Sequence, residues 1–446
     1  MADDPAQLLL AAFHTAASEV PAYAQLLAEA GIDHAGIRDM DDFRKRVPVV
    51  DKQATFSRFP VAQLCRNGQL GRLEAVLTSS GHSGRFAFGI YESEGMDAAA
   101  QSIDDVLDLL FHVKSSPTLV INCLPMGVKV YTRACALAET SVRADMATAL
   151  VKQFGGHFEQ MLLVGEAAFI KHVLELGLSQ GIDWPRLAVR LIVGEEPLAE
   201  NARKYLQGLL GIDPLRPETG LVLSSMGVAE LGLNLFMELP SLVRLRRALH
   251  EQPPLRQAVL GRAATCVPMI FTYDPLRIYV ETDQSDSLII STLETRRLPL
   301  IRYRTGDVAE FLPNRAALAA LTAHLGCDAA CLGQLPILLV RGRGDHVLAG
   351  EIPVLPEEVK EGIYHEPALA ATTTANFRLS SGPARAGLKI QLSPGVSAQK
   401  DLPERFSRAL ASYVRAPLAV TCEPYETFLG GMALDYERKF EYIAAK

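Results

Sequence analysis

Apolar residues recur at helical spacing over residues 8–27, and Pro5 follows two aspartates just ahead of that run, so the pattern predicts a capped N-terminal helix. Residues 36–60 lose the period around Pro48, Val49, Val50, Asp51 and Lys52 and predict short connections. From residue 73 the pattern changes. Apolar runs at 75–77, 86–91, 119–122 and 187–193 predict strands, and the longer stretches 94–112, 143–154, 166–180 and 198–210 predict helices between them. Such alternation predicts a layered α/β domain. Between 258 and 312, short β-rich runs at 277–281, 287–291 and 300–304 predict a second sheet region.

Beyond Arg341-Gly342-Arg343-Gly344-Asp345 the pattern starts afresh, with a helix at 356–364, strands at 369–378 and 386–392, a helix at 401–414 and a strand at 418–423. This is the size and content of a small α+β domain, and the two glycines beside Arg343 suit a hinge. The expected fold class is therefore α/β: a large, multi-sheet N-terminal domain at 1–343 followed by a small, mobile α+β domain at 344–446. No repeat of solenoid period is present.

Composition narrows the function classes. The 446 residues are 49% hydrophobic and 21% charged, enough apolar material for more than one core and too much for a disordered chain. Forty-four basic against 51 acidic side chains leave a net charge of −7, so no global basic field is available for nucleic acid or an anionic membrane. The start Met1-Ala2-Asp3-Asp4 is acidic where a secretory signal would be basic. Even the apolar stretch 160–178 is broken by Glu166, Lys171, His172 and Glu175. A soluble, cytoplasmic protein is expected. The cysteines, at 65, 123, 135, 266, 327, 331 and 422, are too thinly spread for a disulfide framework and are expected to be reduced thiols.

Four clusters could carry chemistry. Thr78-Ser79-Ser80-Gly81-His82-Ser83-Gly84-Arg85 lies between two expected strands; its small residues would let backbone N–H groups approach one anion, and its hydroxyls add donors, as a polyphosphate requires. A polar hairpin loop would look the same. It is not the glycine-rich nucleotidase loop, since no lysine follows Gly84 and a strand, not a helix, comes next. Val193-Gly194-Glu195-Glu196-Pro197-Leu198 and Ser224-Ser225-Met226-Gly227-Val228-Ala229-Glu230 each follow an apolar run, where open α/β sheets place ligands. Taken singly, Glu230 reads first as a solvated carboxylate and only second as a metal ligand. Ile301-Arg302-Tyr303-Arg304-Thr305-Gly306-Asp307 combines a carboxylate able to hold sugar hydroxyls with arginines able to grip phosphate, and alone could be a charged hairpin.

The order of these clusters, ending in Gly342-Arg343-Gly344-Asp345, resembles the ANL superfamily of adenylate-forming enzymes, in particular its phenylacetate-CoA ligase-like branch. Val20-Pro21-Ala22-Tyr23 and Val47-Pro48-Val49-Val50-Asp51-Lys52 are similar to that branch's N-terminal segment, so the resemblance spans nearly the whole chain. It implies that Thr78, Ser79, Ser80, Gly81, His82, Ser83 and Gly84 wrap the ATP phosphates. Gly194, Glu195, Glu196 and Pro197 would line the adenine site, with Ser225, Met226 and Gly227 beside the adenine and the substrate carboxylate. Glu230 would coordinate Mg²⁺, Asp307 would hold the ribose hydroxyls and Arg343 would reach ribose or phosphate. Asp345 would be the hinge of the lid, and Lys439 the adenylation lysine.

The implied activity is ATP-dependent activation of a small carboxylic acid, aromatic by analogy with the branch, as an acyl-adenylate, followed by transfer to coenzyme A; homodimerisation is implied on the same ground. Two other readings stand beside it. One passes the acyl-AMP to an amine, a carrier-protein thiol or another small nucleophile; the other is a nucleotide-binding homologue with weak catalysis. The chain departs from the family pattern at His82, where threonine or serine is usual, at Met226 in place of tyrosine and at Ala229 in place of threonine. Lys439 lacks the customary preceding glycine, and Lys446 is an alternative to it. Some relatives in the branch carry a structural zinc, for which Cys266, Cys327, Cys331 and a histidine such as His324 would be the ligands here; buried free thiols are the other reading.

Overall fold

The computed structural model describes residues 4–79, 86–125, 128–214, 216, 219–261, 264–312, 336–428, 436–437 and 439–444. The expected first helix is two helices, Pro5–Glu19 and Pro21–Glu29. Asp4 accepts a hydrogen bond from the Ala6 N–H at the start of the first, and Val20 is extended because proline follows it, which ends one helix and starts the next. The expected connections at 36–60 include a short helix, Met40–Arg46, capped by Asp39.

β1 (Ala75–Thr78) and β2 (Phe88–Tyr91) form an antiparallel hairpin, with Thr78 opposite Phe88. The centre of the large domain is parallel: β3 (Thr118–Asn122), β4 (Ala136–Glu139), β5 (Gln160–Gly165), β6 (Val189–Val193) and β7 (Val222–Val228) stand in the order β7-β6-β5-β3-β4. β3 and β5 are buried along their whole length, as a parallel sheet covered on both faces requires. Helix Ser93–Phe111 packs Leu107 and Phe111 against Val120, Leu162 and Val164 on one face. Helices Ala144–Phe154, Ala167–Ser179 and Glu200–Leu210 cover Leu119, Ile121, Met161 and Leu163 on the other.

β8 (Gly232–Met237), β9 (Met269–Thr272), β10 (Ile278–Thr282), β11 (Ser287–Thr292), β12 (Tyr303–Phe311) and β13 (Ile337–Val340) continue as an antiparallel half, in the order β10-β11-β12-β13-β9-β8-β7. The expected second sheet region is thus one sheet with the first, eleven strands among the described residues, joined between β8 and β9 by the single pair Met237 and Thr272. The strand expected at 300–304 begins at Tyr303, after Leu298, Leu300 and Ile301 have been buried in the connection.

β14 (Val347–Ala349) and β15 (Ile352–Val354) form a hairpin, after which β16 (Thr373–Ser380), β17 (Ala386–Leu392) and β18 (Leu418–Glu423) make a three-stranded sheet with helices Pro356–Ile363 and Leu402–Leu410. This small α+β domain sits on the large domain through buried polar groups. The Glu361 carboxylate accepts from the N–H groups of Glu200 and Asn201, at 2.8 and 2.9 Å, in the first turn of helix Glu200–Leu210, where unpaired donors and the helix dipole favour an anion. Lys171, buried in the large domain, donates to the Thr373 carbonyl at 2.7 Å.

Candidate functional site

A cavity of about 550 Å³ opens at the C-terminal ends of the parallel strands, between the two domains. β5 and β6 end at Gly165 and Val193, and the chain turns sharply behind β6: the Gly194 N–H donates to the Gly165 carbonyl, the Glu196 N–H donates back to Gly194, and Glu195 adopts φ 70°. Gly194, Glu195, Glu196 and Pro197 therefore line the cavity.

Ser225, Met226 and Gly227 line it as part of β7, which continues to Val228 where a turn was expected; the reversal comes at 229–231. Gly227 is required by contact, because a Cβ there would lie 2.2 Å from the Leu233 carbonyl across the hairpin. Gly89 of β2 meets the same constraint against the Ala229 carbonyl, so the β1-β2 hairpin is pressed onto the turn that carries Glu230. Thr78 and Ser79, the described start of the serine-rich loop, accordingly face the same cavity. Ser80, Gly81, His82, Ser83, Gly84 and Arg85 lie outside the described residues.

Glu230 is 7% exposed, and its Oε1 accepts from the Tyr303 hydroxyl at 2.6 Å. Burial and that carboxylate both push the Tyr303 phenol up, so it stays a donor. A carboxylate on a cavity wall, oriented by a neutral donor, is a hard oxygen ligand that fits Mg²⁺. Asp307 on β12 faces the cavity with Arg343; burial pushes its carboxyl up, and Arg343 and Lys439 oppose that. Asp345 is exposed at the cavity edge. Lys439 reaches in from the C-terminal segment, donating to the Glu195 carbonyl at 2.9 Å and pairing with its carboxylate at 3.2 Å.

Lys52 is a further cation on this wall that sequence reasoning left among the N-terminal connections. Val50 pairs with β12 beside Tyr303, with the Val50 N–H on the Arg302 carbonyl and the Arg304 N–H on the Val50 carbonyl, and this places the Lys52 ammonium 3.0 Å from the Ser79 hydroxyl. Burial draws it below the usual lysine range; Glu230 opposes, while Arg343 and Lys439 reinforce the shift. Lys52, Arg343 and Lys439 thus converge on one space, an arrangement suited to a polyphosphate.

The arginines of the Tyr-Arg-Thr-Gly-Asp cluster do not join them. Arg302 pairs with Glu281 at 3.2 Å and donates to the Arg44 carbonyl, and Arg304 pairs with Asp283 at 2.9 Å, so both serve the antiparallel sheet. Lys360 and Tyr442 were also unforeseen; both donate to Glu196 Oε2, at 2.5 and 3.0 Å, tying the small domain to the 194–197 turn. Burial pushes the Cys266 thiol well up, and its proposed zinc partners Cys327, Cys331 and His324 lie outside the described residues. Among the described residues no group of three or more His, Cys, Asp or Glu side chains is gathered as a metal cluster, and no helix is long and apolar enough to cross a membrane.

No protein-family model and no curated protein matches the sequence. Solved structures do match. A 2-hydroxyisobutyryl-CoA ligase in the postadenylation state, in complex with R3-HIB-AMP, superposes with a TM-score of 0.69 at 12% identity, over 99% of this chain and 88% of that one. The same ligase with 2-HIB-AMP and CoA in the thioesterification state gives 0.55 at 13% identity, over 98% and 88%. The anthranilate CoA ligase AuaEII in complex with anthranoyl-AMP gives 0.50 at 12% identity, over 79% and 63%. The chain shares the fold of these CoA ligases, with a large mixed-sheet N-terminal domain and a small α+β C-terminal domain.

Proposed function

We propose that this chain activates a small carboxylic acid with ATP and passes the acyl group to coenzyme A. The observation that carries the reading is the meeting, around one cavity, of Thr78, Ser79, 194–197, 225–227, Glu230, Asp307, Arg343 and Lys439, residues scattered over most of the sequence. About 550 Å³ suits a mononucleotide. The order of the motifs supports the phenylacetate-CoA ligase-like branch.

In the first step the substrate carboxylate attacks the α-phosphorus of ATP; a carboxylate oxygen–phosphorus bond forms, the bond to the bridging oxygen breaks, and pyrophosphate leaves. Little covalent work falls to the protein, so its task is to position the reactants and to balance charge. Lys439 is placed for the α-phosphate, and Lys52 and Arg343 for the rest of the chain of phosphates. Gly194, Glu195, Glu196 and Pro197 hold the adenine, and Asp307 the ribose. Mg²⁺, held at Glu230, would supply further neutralisation. In the second step the coenzyme A thiolate attacks the acyl carbon and AMP leaves with the electron pair of the acyl–oxygen bond. The small domain turns at Asp345 between the steps and keeps water from the acyl-adenylate.

Exchange of labelled pyrophosphate into ATP, measured over a panel of acids, tests the first step. Acid-dependent exchange is expected, and its absence across the panel would remove the reading. Mass analysis of products with and without coenzyme A then tests the acceptor: an acyl-CoA is expected, and release of free acid alone would send the search to another nucleophile.

A further inference from the structure

Behind the nucleotide cavity lies a second one of about 100 Å³, and the two share Leu124, Val164, Ser224, Ser225 and Leu233. Its walls are saturated hydrocarbon: Ile103, Leu107 and Leu110 from helix Ser93–Phe111, with Val120, Leu162 and Leu223 from β3, β5 and β7. Among the described residues no aromatic ring lines it. Ser224 and Ser225 stand where it meets the larger cavity, and Asn234 is the one amide that the described residues bring to it.

Among the described residues a single carboxylate, Glu238, touches this space, and its bonding is already complete. Both of its oxygens accept from Arg203, at 2.7 and 2.9 Å, and Oε2 also accepts from the Ser224 N–H at 2.7 Å. An ammonium group placed here would find no free anion, and an isolated buried cation is strongly unfavourable. Size sets a second limit. An apolar cavity of about 150 Å³ is what takes up benzene, with its six carbons, so about 100 Å³ holds roughly four carbons and is too small for a ring.

We propose that the acid activated by this chain is a short saturated aliphatic one, with about three to five carbons beyond the carboxyl group, and is neither an aromatic acid nor one with an ammonium group at the end of its tail. This rests on the adenylation reading above and goes beyond it by naming the substrate class, against the aromatic preference that the resemblance implies. The hydrocarbon tail fills the rear cavity, and the carboxylate emerges beside Ser225 and Met226 at the nucleotide.

Pyrophosphate exchange by the full chain with pentanoate, isovalerate, phenylacetate, benzoate, 2-hydroxyisobutyrate and 5-aminopentanoate tests it. Each buried methylene is worth roughly fourfold, so pentanoate or isovalerate is expected to exceed phenylacetate, benzoate and 2-hydroxyisobutyrate by at least about tenfold in kcat/KM, with no exchange for 5-aminopentanoate, whose ammonium would have to enter the rear cavity. Leu107→Ala should move the chain-length optimum up by about three carbons. Ile103→Phe, on the partly exposed side of its helix, should move it down and guards against failure of the first variant to fold. Preference for an aryl acid or 5-aminopentanoate, or an optimum that neither variant moves, overturns this substrate class and leaves adenylation standing. No exchange with any acid overturns both.

Discussion

Lys439 meets Glu195 across 244 residues of sequence. Its side chain is 25% exposed, and the ammonium, held by one carbonyl and one carboxylate, can turn to an incoming phosphate without leaving a buried charge unpaired. Replacing it by alanine removes one preorganised positive charge from the α-phosphate, so Lys439→Ala should lower pyrophosphate exchange by about two to three orders of magnitude. Thioester formation from pre-made acyl-AMP should stay within about threefold, because that charge serves the first step; equal loss in both steps would refute the assignment. Lys52→Ala should instead raise the KM for ATP by about tenfold or more, the worth of a charge-assisted hydrogen bond, and an unchanged KM would remove Lys52 from the phosphate site. Lys439 was legible because it sits near the end of the motif series, whereas Lys52 was not, since its place depends on Val50 pairing with a strand some 250 residues later. Arg302 and Arg304 looked like phosphate ligands for the opposite reason: sequence shows a guanidinium but not the glutamate on β10, or the aspartate just past its end, that holds it.

At the scale of elements, the parallel strands and their helices could be read because each buries a continuous apolar run or one apolar stripe. β3 and β6 were marked by such runs, and helix Ser93–Phe111 was placed to within one residue at each end. β4, an Ala-Leu-Ala-Glu segment with little buried surface, carries no such signal. The joining of the two sheet halves through Met237 and Thr272 could not be read either, since a single cross-strand pair leaves no period in the chain. Another long-range feature holds β7, β8 and helix Glu200–Leu210 together. Arg203 pairs with both Glu238 and Glu200, and Arg246 of helix Pro240–Glu251 completes the network at 2.7 Å from Glu200, all four essentially inaccessible to water. Arg203→Ala leaves Glu238 without its bidentate partner, and a buried pair broken on one side costs about 3–5 kcal/mol. A clear fall in the urea midpoint is expected for that variant, and an unchanged midpoint would show that water reaches Glu238 in solution.

At the scale of the molecule, the interface between the two domains contains carboxylates that do not favour being charged. Glu357 and Glu166 approach Glu196 from the small and the large domain, with Lys360 as their common cation, and Tyr364, Tyr436 and Tyr442 close over them. Burial pushes the Glu357 carboxyl up to about 7, and its Oε2 has no hydrogen-bond partner among the described residues; Glu166 is raised in the same direction by burial and by Glu196. If the small domain swings away at 342–345, water returns to both groups and they revert towards the ordinary carboxylate value of 4.5. The docked form then binds more protons than the undocked one, so docking is strongest at low pH. It weakens as pH rises from about 4.5 to about 7, by up to about tenfold per pH unit for each group, and levels off above that. The rate of proteolytic cutting at 342–346, normalised to the rate on unfolded chain at each pH, should therefore rise across this window and then flatten. Glu357→Gln, which keeps the shape and removes the titration, should reduce the slope by one proton. A cutting rate that is level from pH 5 to pH 8 would mean that these carboxylates are hydrated in the docked form, or that the two domains do not part.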